Sequence, residues 1–214
     1  FEKTTAAGSF KSDFAVSRLN EIVNEDLMHF TDGQAKVDLD FKFDVANLKI
    51  QKPLFTGSVA VKNATVNYGP RNLTFVKTDI QLDFTEQALL IKKINFKDRR
   101  NKVFMEGKID NFLTLYYENP EKMVVNWNVY APFLDVKQFV GVFTSAGKKT
   151  VKTKTKKDDF SDELHAVIDK SQMILNLKAD KLVFSKLEAT QAKATIVLLN
   201  NSLTVKNGRV QSSG

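Results

Sequence analysis

Apolar and polar residues alternate over long stretches of this 214-residue chain. From Val37 to Val45 every odd position is valine, leucine or phenylalanine, and every even position is aspartate or lysine. Successive side chains of a β-strand point to opposite faces, so a period of two predicts a strand with one apolar face and one wet face. The same period returns in many segments between residues 59 and 129, including residues 113–117.

Turn-forming residues separate the alternating segments, for example Gly69-Pro70 and Asn119-Pro120. Short connections join antiparallel neighbours, whereas parallel strands need long crossovers. The sequence therefore predicts a mainly β protein. Its fold is expected to be a long antiparallel meander, curved into a groove-like or sandwich-like sheet, in which residues 113–117 form a strand.

Two segments have helical spacing instead. Residues 14–30 and residues 160–171 place apolar side chains three and four positions apart, and each follows aspartate or serine residues suited to a helix N-cap. We expect two short amphipathic helices there. Each precedes a run of strands, and this order suggests a repeated unit.

An internal repeat is also visible by alignment. Residues 59–68 match residues 175–184 at an offset of 116, and residues 82–96 match residues 196–210 at an offset of 114. Nearly constant offsets predict two copies of one structural unit.

The net charge of +7 is concentrated in one place. Six lysines lie in a Lys/Thr-rich stretch without apolar periodicity: Lys148, Lys149, Lys152, Lys154, Lys156 and Lys157. Without them the charge falls from +7 to +1, so the remainder is nearly neutral. Residues 144–158 are predicted to be a linker between a helix-plus-β unit at 1–143 and an incomplete, truncated second unit at 159–214. The linker is either simply solvated or an anion-contacting arm.

Residues for catalysis or metal binding are few. The chain has no cysteine, which excludes disulfides and thiolate chemistry. His165 has Asp162 and Asp169 at helical spacing, but a solvated surface histidine explains this pattern better than a metal site. With no phosphate-binding loop or nucleophile motif, we expect no enzyme activity, no cofactor and no metal. We also expect no nucleic-acid partner, because the aromatic residues occupy the apolar positions and their neighbours carry mixed charge.

Long one-sided strands have to cover their apolar face with a second sheet, with helices, or with a molecule that is not protein. Two short helices are not enough, so a closed sandwich and an open trough for acyl chains both remain possible. The candidate residues for a lipid-facing groove are Leu39, Phe41, Phe43, Val59, Val61, Ile80, Leu82, Phe84, Leu175, Leu177, Ile196 and Leu198.

Three segments resemble a known family. Residues Phe55–Val66, Val103–Phe112 and Ser202–Val210 repeat short strands of the type Gly-x-apolar-x-apolar-x-Asn or apolar-x-apolar-x-Asn-Gly. This pattern is similar to that of the AsmA-like proteins of Gram-negative envelopes. The resemblance extends from about Gly33 to the end of the chain and includes no catalytic motif.

The resemblance implies an elongated β groove in a periplasmic segment of a protein anchored to the inner membrane, with the anchor missing from this chain. The family is associated with outer-membrane biogenesis and with movement of phospholipid between the two membranes. The leading hypothesis is therefore a non-catalytic module that binds or transfers phospholipid or another envelope lipid. The alternative is a structural or assembly module with a closed core that binds other envelope proteins.

Overall fold

The computed structural model describes residues 4–21, 28–46, 49–68, 73–98, 101–119, 122–137, 171–199 and 202–212. These residues form eleven strands, one 3-10 helix (η1) and one α-helix (α1). In chain order the elements are β1 (Thr4–Ala15), η1 (Val16–Glu21), β2 (Met28–Thr31), β3 (Gln34–Ala46), β4 (Lys49–Tyr68), β5 (Leu73–Phe84), β6 (Ala88–Asp98), β7 (Asn101–Asp110), α1 (Phe112–Glu118), β8 (Val124–Asp135), β9 (Gln172–Phe184), β10 (Leu187–Leu199) and β11 (Ser202–Ser212).

All eleven described strands belong to one curved sheet. The strand order is β1-β3-β4-β5-β6-β7-β8-β9-β10-β11, and the short β2 pairs with the end of β4 beyond β3. The sheet is not closed into a barrel. The predicted mainly β meander is confirmed, and it is a single layer rather than two packed sheets over the described residues.

One neighbouring pair departs from the predicted antiparallel arrangement. β8 and β9 are parallel, with Trp127 opposite Leu175. A parallel pair needs a long crossover, and the chain from Asp135 to Gln172 is long enough to provide one. Most of that connection, residues 138–170, lies outside the described residues, together with the predicted linker and all but the last residue of the predicted helix at 160–171.

The helix predicted at residues 14–30 is confirmed only as the six-residue 3-10 helix η1 (Val16–Glu21), and its predicted bounds are wrong. Phe14 lies in β1 opposite Ala35, and Phe30 lies in β2 opposite Val66. Only η1 is helical among the described residues between them. The Asn20 side chain links η1 to β2, because its amide donates to the Phe30 carbonyl and accepts from the Phe30 N–H, both at 2.8 Å. Among the described residues, apolar spacing that suits one long helix belongs to the end of β1, to η1 and to β2.

The strand predicted at residues 113–117 is also wrong, because this segment belongs to α1. Phe112 and Leu115, three positions apart, pack together against the buried side chains of Leu89 and Ile109. Residues 113, 115 and 117 alternate as in a strand, but the segment forms a short helix because one side of that helix packs on the sheet.

The strand registers agree with the predicted repeat. The segment β4-β5-β6 corresponds to β9-β10-β11, and the matched residues occupy matched cross-strand positions. The equivalent sets of partners are Val59–Leu82–Ile91 and Leu175–Ile196–Val205.

A β-bulge recurs in both copies of the repeat. Lys77 in β5 and Gln191 in β10 are 114 positions apart, and both have a left-handed backbone, with φ of 52° and 50°. In each copy the register to the next strand shifts at this point. The repeat therefore extends to an irregular feature that apolar alternation alone does not specify.

Glycine is expected to stabilise both bulges. A left-handed backbone is unfavourable for residues that carry a Cβ atom, so Lys77→Gly and Gln191→Gly should each raise the free energy of unfolding by about 0.5–1 kcal/mol. Thr190→Gly, next to the bulge in regular strand, should lower it by a similar amount. Denaturant unfolding of the three variants tests this, and opposite signs for the two bulge variants would contradict the equivalence of the copies.

Candidate functional site

The registers align the apolar side chains into three rows that cross the sheet, called here the apolar face. The middle row contains Val37, Val59, Leu82, Ile91, Gly107, Trp127, Leu175, Ile196 and Val205. One flanking row passes through Leu39, Phe84 and Leu198, and the other through Val61, Ile80 and Leu177. Each row is continuous from β3 to β10, and a β-bulge at Lys92 and Lys93 in β6 shifts the register between the middle row and the row through Ile80.

All twelve predicted groove residues lie on the apolar face. Ten belong to the three rows, and Phe41 and Phe43 continue the same alternation along β3. Val61 and Leu175 are buried, and the other ten side chains are half-buried. The sheet therefore brings the predicted set together on one surface, while lipid contact with it stays a prediction.

Two parts of the apolar face are covered by described elements. Near β3 and β4, η1 places the fully buried Val16 in a cluster with Ala35 and Val61. Near β6 and β7, α1 packs Phe112 and Leu115 on a second buried cluster. These contacts cover patches of the face, and most of its side chains remain half-buried.

The apolar face reaches solvent at the edge of the sheet. Val205 in β11 is 58% exposed, whereas the equivalent Ile91 in β6 is 4% exposed. The difference arises because β7 pairs with the outer side of β6, and no described strand pairs with the outer side of β11. At the opposite edge, Phe10 in β1 is 51% exposed.

The opposite, wet face carries balanced charge over β1 to β6. Lys11 pairs with Asp38 at 3.1 Å, and Lys93 pairs with Asp79 at 3.1 Å. A hydrogen bond from the Asn63 backbone N–H, helped by the charges of Lys93 and Lys62, holds the pKa of the Asp79 carboxyl below its usual value. Acidic and basic side chains alternate here, as the sequence pattern indicates.

Over β6 to β11 the wet face contains a hollow of about 720 Å³. Five cationic side chains and a single carboxylate, Glu106, are among the described residues that line it. The cations are Lys92, Lys93, Lys178, Lys193 and Arg209. Lys92 lies 3.9 Å from Asp83, and Lys93 is the partner of Asp79.

One wall of the hollow is aromatic. The rings of Phe104 and Tyr130 stack with their centroids 5.8 Å apart, and the Lys178 amino group lies 5.7 Å from the Tyr130 ring centroid. The Tyr130 hydroxyl donates to Asp180 at 2.6 Å, and this hydrogen bond raises the pKa of Tyr130. Sequence reasoning did not identify this hollow. A signal was available just before the second matched block, because Lys193 lies 114 positions after an acidic residue, Asp79.

The remaining sequence candidates, the six linker lysines and His165, lie outside the described residues. The other histidine of the chain, His29, is a half-buried residue of β2 opposite Asn67. Within the described part of the chain, no group of three histidine or acidic residues could hold a metal ion, and no helix is long and apolar enough to cross a membrane.

Comparison of the chain with models of protein families, with curated proteins and with solved structures finds no match in any of the three. The likeness to the AsmA-like family therefore depends on strand and turn residues alone and stays a prediction. The two faces of the sheet are the basis for a functional proposal.

Proposed function

We propose that this chain is a non-catalytic module that binds phospholipid or another envelope lipid on its apolar face and serves lipid transfer between the inner and outer membranes. The observation that carries the proposal is the continuity of three apolar rows of mostly half-buried side chains. The resemblance to AsmA-like proteins adds a periplasmic location and attachment to the inner membrane through a segment outside this chain.

The dimensions of the apolar face suit acyl chains. Nine strands spaced about 4.8 Å apart make a row roughly 40 Å long. One acyl chain spans about 15 Å, which is half of the hydrocarbon thickness of a bilayer. Each methylene group removed from water stabilises the bound lipid by about 0.8 kcal/mol, so a continuous row lowers the free-energy cost of moving a lipid through water.

Two adjacent residues of β10 provide a matched test. Ile196 lies on the apolar face, whereas Val197 pairs with Ile174 and Thr204 on the wet face, and both side chains are half-buried. Ile196→Asp should abolish most uptake of fluorescent phospholipid, because it places a carboxylate in the middle row. Val197→Asp should leave uptake close to that of the unmodified protein.

The measurement combines mass spectrometry of lipids that co-purify with the protein and uptake of labelled phospholipid by the two variants. Thermal unfolding of each variant shows how much of its population is folded. Absence of co-purified lipid together with absence of uptake by the unmodified protein would refute the proposal. Equal loss of uptake in both folded variants would also contradict it, since the wet face would then matter equally.

The packing of η1 and α1 favours the second candidate, an assembly module with a closed core that binds other envelope proteins. In that case the apolar face is filled by protein and takes up no lipid. Ile196→Asp would then lower the unfolding temperature far more than Val197→Asp, in protein shown to be free of lipid. The two candidates therefore predict different measurements on the same pair of variants.

A further inference from the structure

Three cations lie directly opposite one another in the hollow of the wet face. Lys178 in β9 pairs with Lys193 in β10, and Lys193 pairs with Arg209 in β11. Directly opposed side chains have Cβ atoms about 5 Å apart, and like charges at this spacing destabilise a sheet. We call these three residues the cationic row.

The cationic row has no carboxylate partner among the described residues. The ion pairs of that part of the chain involve other lysines, and Asp180 is instead bonded to the Tyr130 hydroxyl. No ion pair among the described residues compensates the repulsion along the row. Within the hollow, Glu106 is the one carboxylate among the described lining residues, and the Tyr130 ring lies beside Lys178. An anion in the hollow would reduce the repulsion among the three cations.

The first copy of the repeat shows how this fold neutralises the same positions. The counterparts of Lys178, Lys193 and Arg209 are Lys62, Asp79 and Asn95. There the central residue is an acid that bonds Lys93 and lies within the field of Lys62. The second copy has a lysine at the central position, so an acid between other side chains in the first copy is replaced by a cation between two cations in the second.

We propose that the cationic row binds the phosphate group of a small anion or of a lipid headgroup. A phosphate dianion matches several neighbouring cations better than a singly charged carboxylate does. The planar fork of Arg209 suits two phosphate oxygens, while the lysines act as point charges. The volume of about 720 Å³ lies within the range of small-molecule sites.

The floor beside the row is polar and hydrogen-bonded. Thr195 donates to Asn176 at 3.2 Å, and Asn176 donates to Asn128 at 3.3 Å, so one chain of hydrogen bonds crosses β8, β9 and β10. These hydrogen bonds give the hollow a polar surface next to the cations. The site lies on the face opposite the apolar rows, and the proposal therefore does not depend on lipid binding there.

The test uses the unmodified chain, Lys193→Asp and a control, Lys186→Asp. Lys193→Asp restores the acid of the first copy, whereas Lys186 lies in the turn between β9 and β10, outside the hollow, and its substitution changes the net charge equally. Calorimetric titration at low salt measures binding of inorganic phosphate and of glycerol 3-phosphate. Flotation measures binding to phosphatidylcholine vesicles with and without phosphatidylglycerol.

We expect saturable binding of at least one probe, at least about tenfold weaker in Lys193→Asp and nearly unchanged in Lys186→Asp. Without phosphate, Lys193→Asp should also unfold roughly 2–4 °C higher than the unmodified protein, because the repulsion is removed. A variant that binds phosphate more weakly but unfolds at a higher temperature has lost the binding site and has kept its fold.

If inorganic phosphate or glycerol 3-phosphate binds, the phosphate group belongs to a free phosphate compound. If the protein binds only to vesicles that contain phosphatidylglycerol, the phosphate group belongs to a lipid headgroup. Absence of binding to every probe would overturn the proposal. Equal weakening by Lys193→Asp and Lys186→Asp would overturn it as well, because the effect would then come from net charge. Lipid uptake through the apolar face can succeed or fail independently of either result.

Discussion

Gly57→Ala is expected to lower the free energy of unfolding by about 2–5 kcal/mol. Gly57 lies in β4 opposite Leu39, at a close approach of β3 and β4, and a Cβ atom there would overlap the carbonyl oxygen of Asp38. Its backbone φ of +121° is also unfavourable for any residue with a side chain. Either the ladder between β3 and β4 has to open locally or the backbone has to move.

Gly208→Ala is the matched control. Gly208 lies in β11, and a Cβ atom at this position would meet no atom within 4 Å. Its substitution should leave stability unchanged or raise it by up to about 1 kcal/mol, since alanine loses less backbone entropy on folding. Denaturant unfolding measures both changes, and similar values for the two glycines would contradict the close approach at Gly57.

Asn101→Ala is expected to lower the free energy of unfolding by about 2–3 kcal/mol. Asn101 is fully buried at the start of β7, and its side-chain oxygen accepts a hydrogen bond from the Asp135 backbone N–H at 2.8 Å. Alanine would leave that donor without its acceptor and would leave a small cavity. The unfolding temperature should fall by roughly 5–10 °C.

Asn126→Ala removes the same atoms from an exposed position in β8 and should change the unfolding temperature by little. Differential scanning calorimetry of both variants measures the difference. If Asn101→Ala unfolds at the temperature of the unmodified protein, Asn101 does not secure the end of β8, and the hydrogen bond to Asp135 contributes nothing.

The sequence predicted the apolar face well for a simple reason. Side chains alternate between the two faces along each strand, and residues that pair across strands lie on the same face. Once Val37 and Val59 are opposite each other, every second residue of the regular ladder around them, such as Leu39 and Val61, has to share their face. The repeat extended the same rule to Leu175 and Ile196 without knowledge of the pairing. The twelve groove residues were therefore accessible from the pattern alone.

Predictions of secondary structure from local sequence patterns were wrong where contacts with distant parts of the chain determined the structure. Apolar spacing at residues 14–30 fits a helix and also fits two strands that contact the same neighbours, and pairing with β3 and β4 determined the result. The strand β1 was missed since its small and polar residues, such as Gly8 and Ser12, alternate only weakly. The parallel pairing of β8 and β9 depends on a long connection that has no local signature.

The cationic row could not be predicted for a different reason. Lys193 and Arg209 are opposite each other only because the register shifts on both sides of this pair, at Gln191 and at Asn207. A shift of one residue would have placed other side chains opposite Lys193. Bulges are weakly encoded in sequence, so charge clusters that depend on them appear only in the structure.

The parallel pair also has a consequence for the order of folding. From β3 to β8 each strand pairs with its neighbour in sequence, and the same holds from β9 to β11, so these segments close short loops. Pairing β8 with β9 closes the long loop from Asp135 to Gln172 and costs more chain entropy. Docking of β9 is therefore expected to be the late step. Until it occurs, the edge of β8 is open to pairing with strands of other chains.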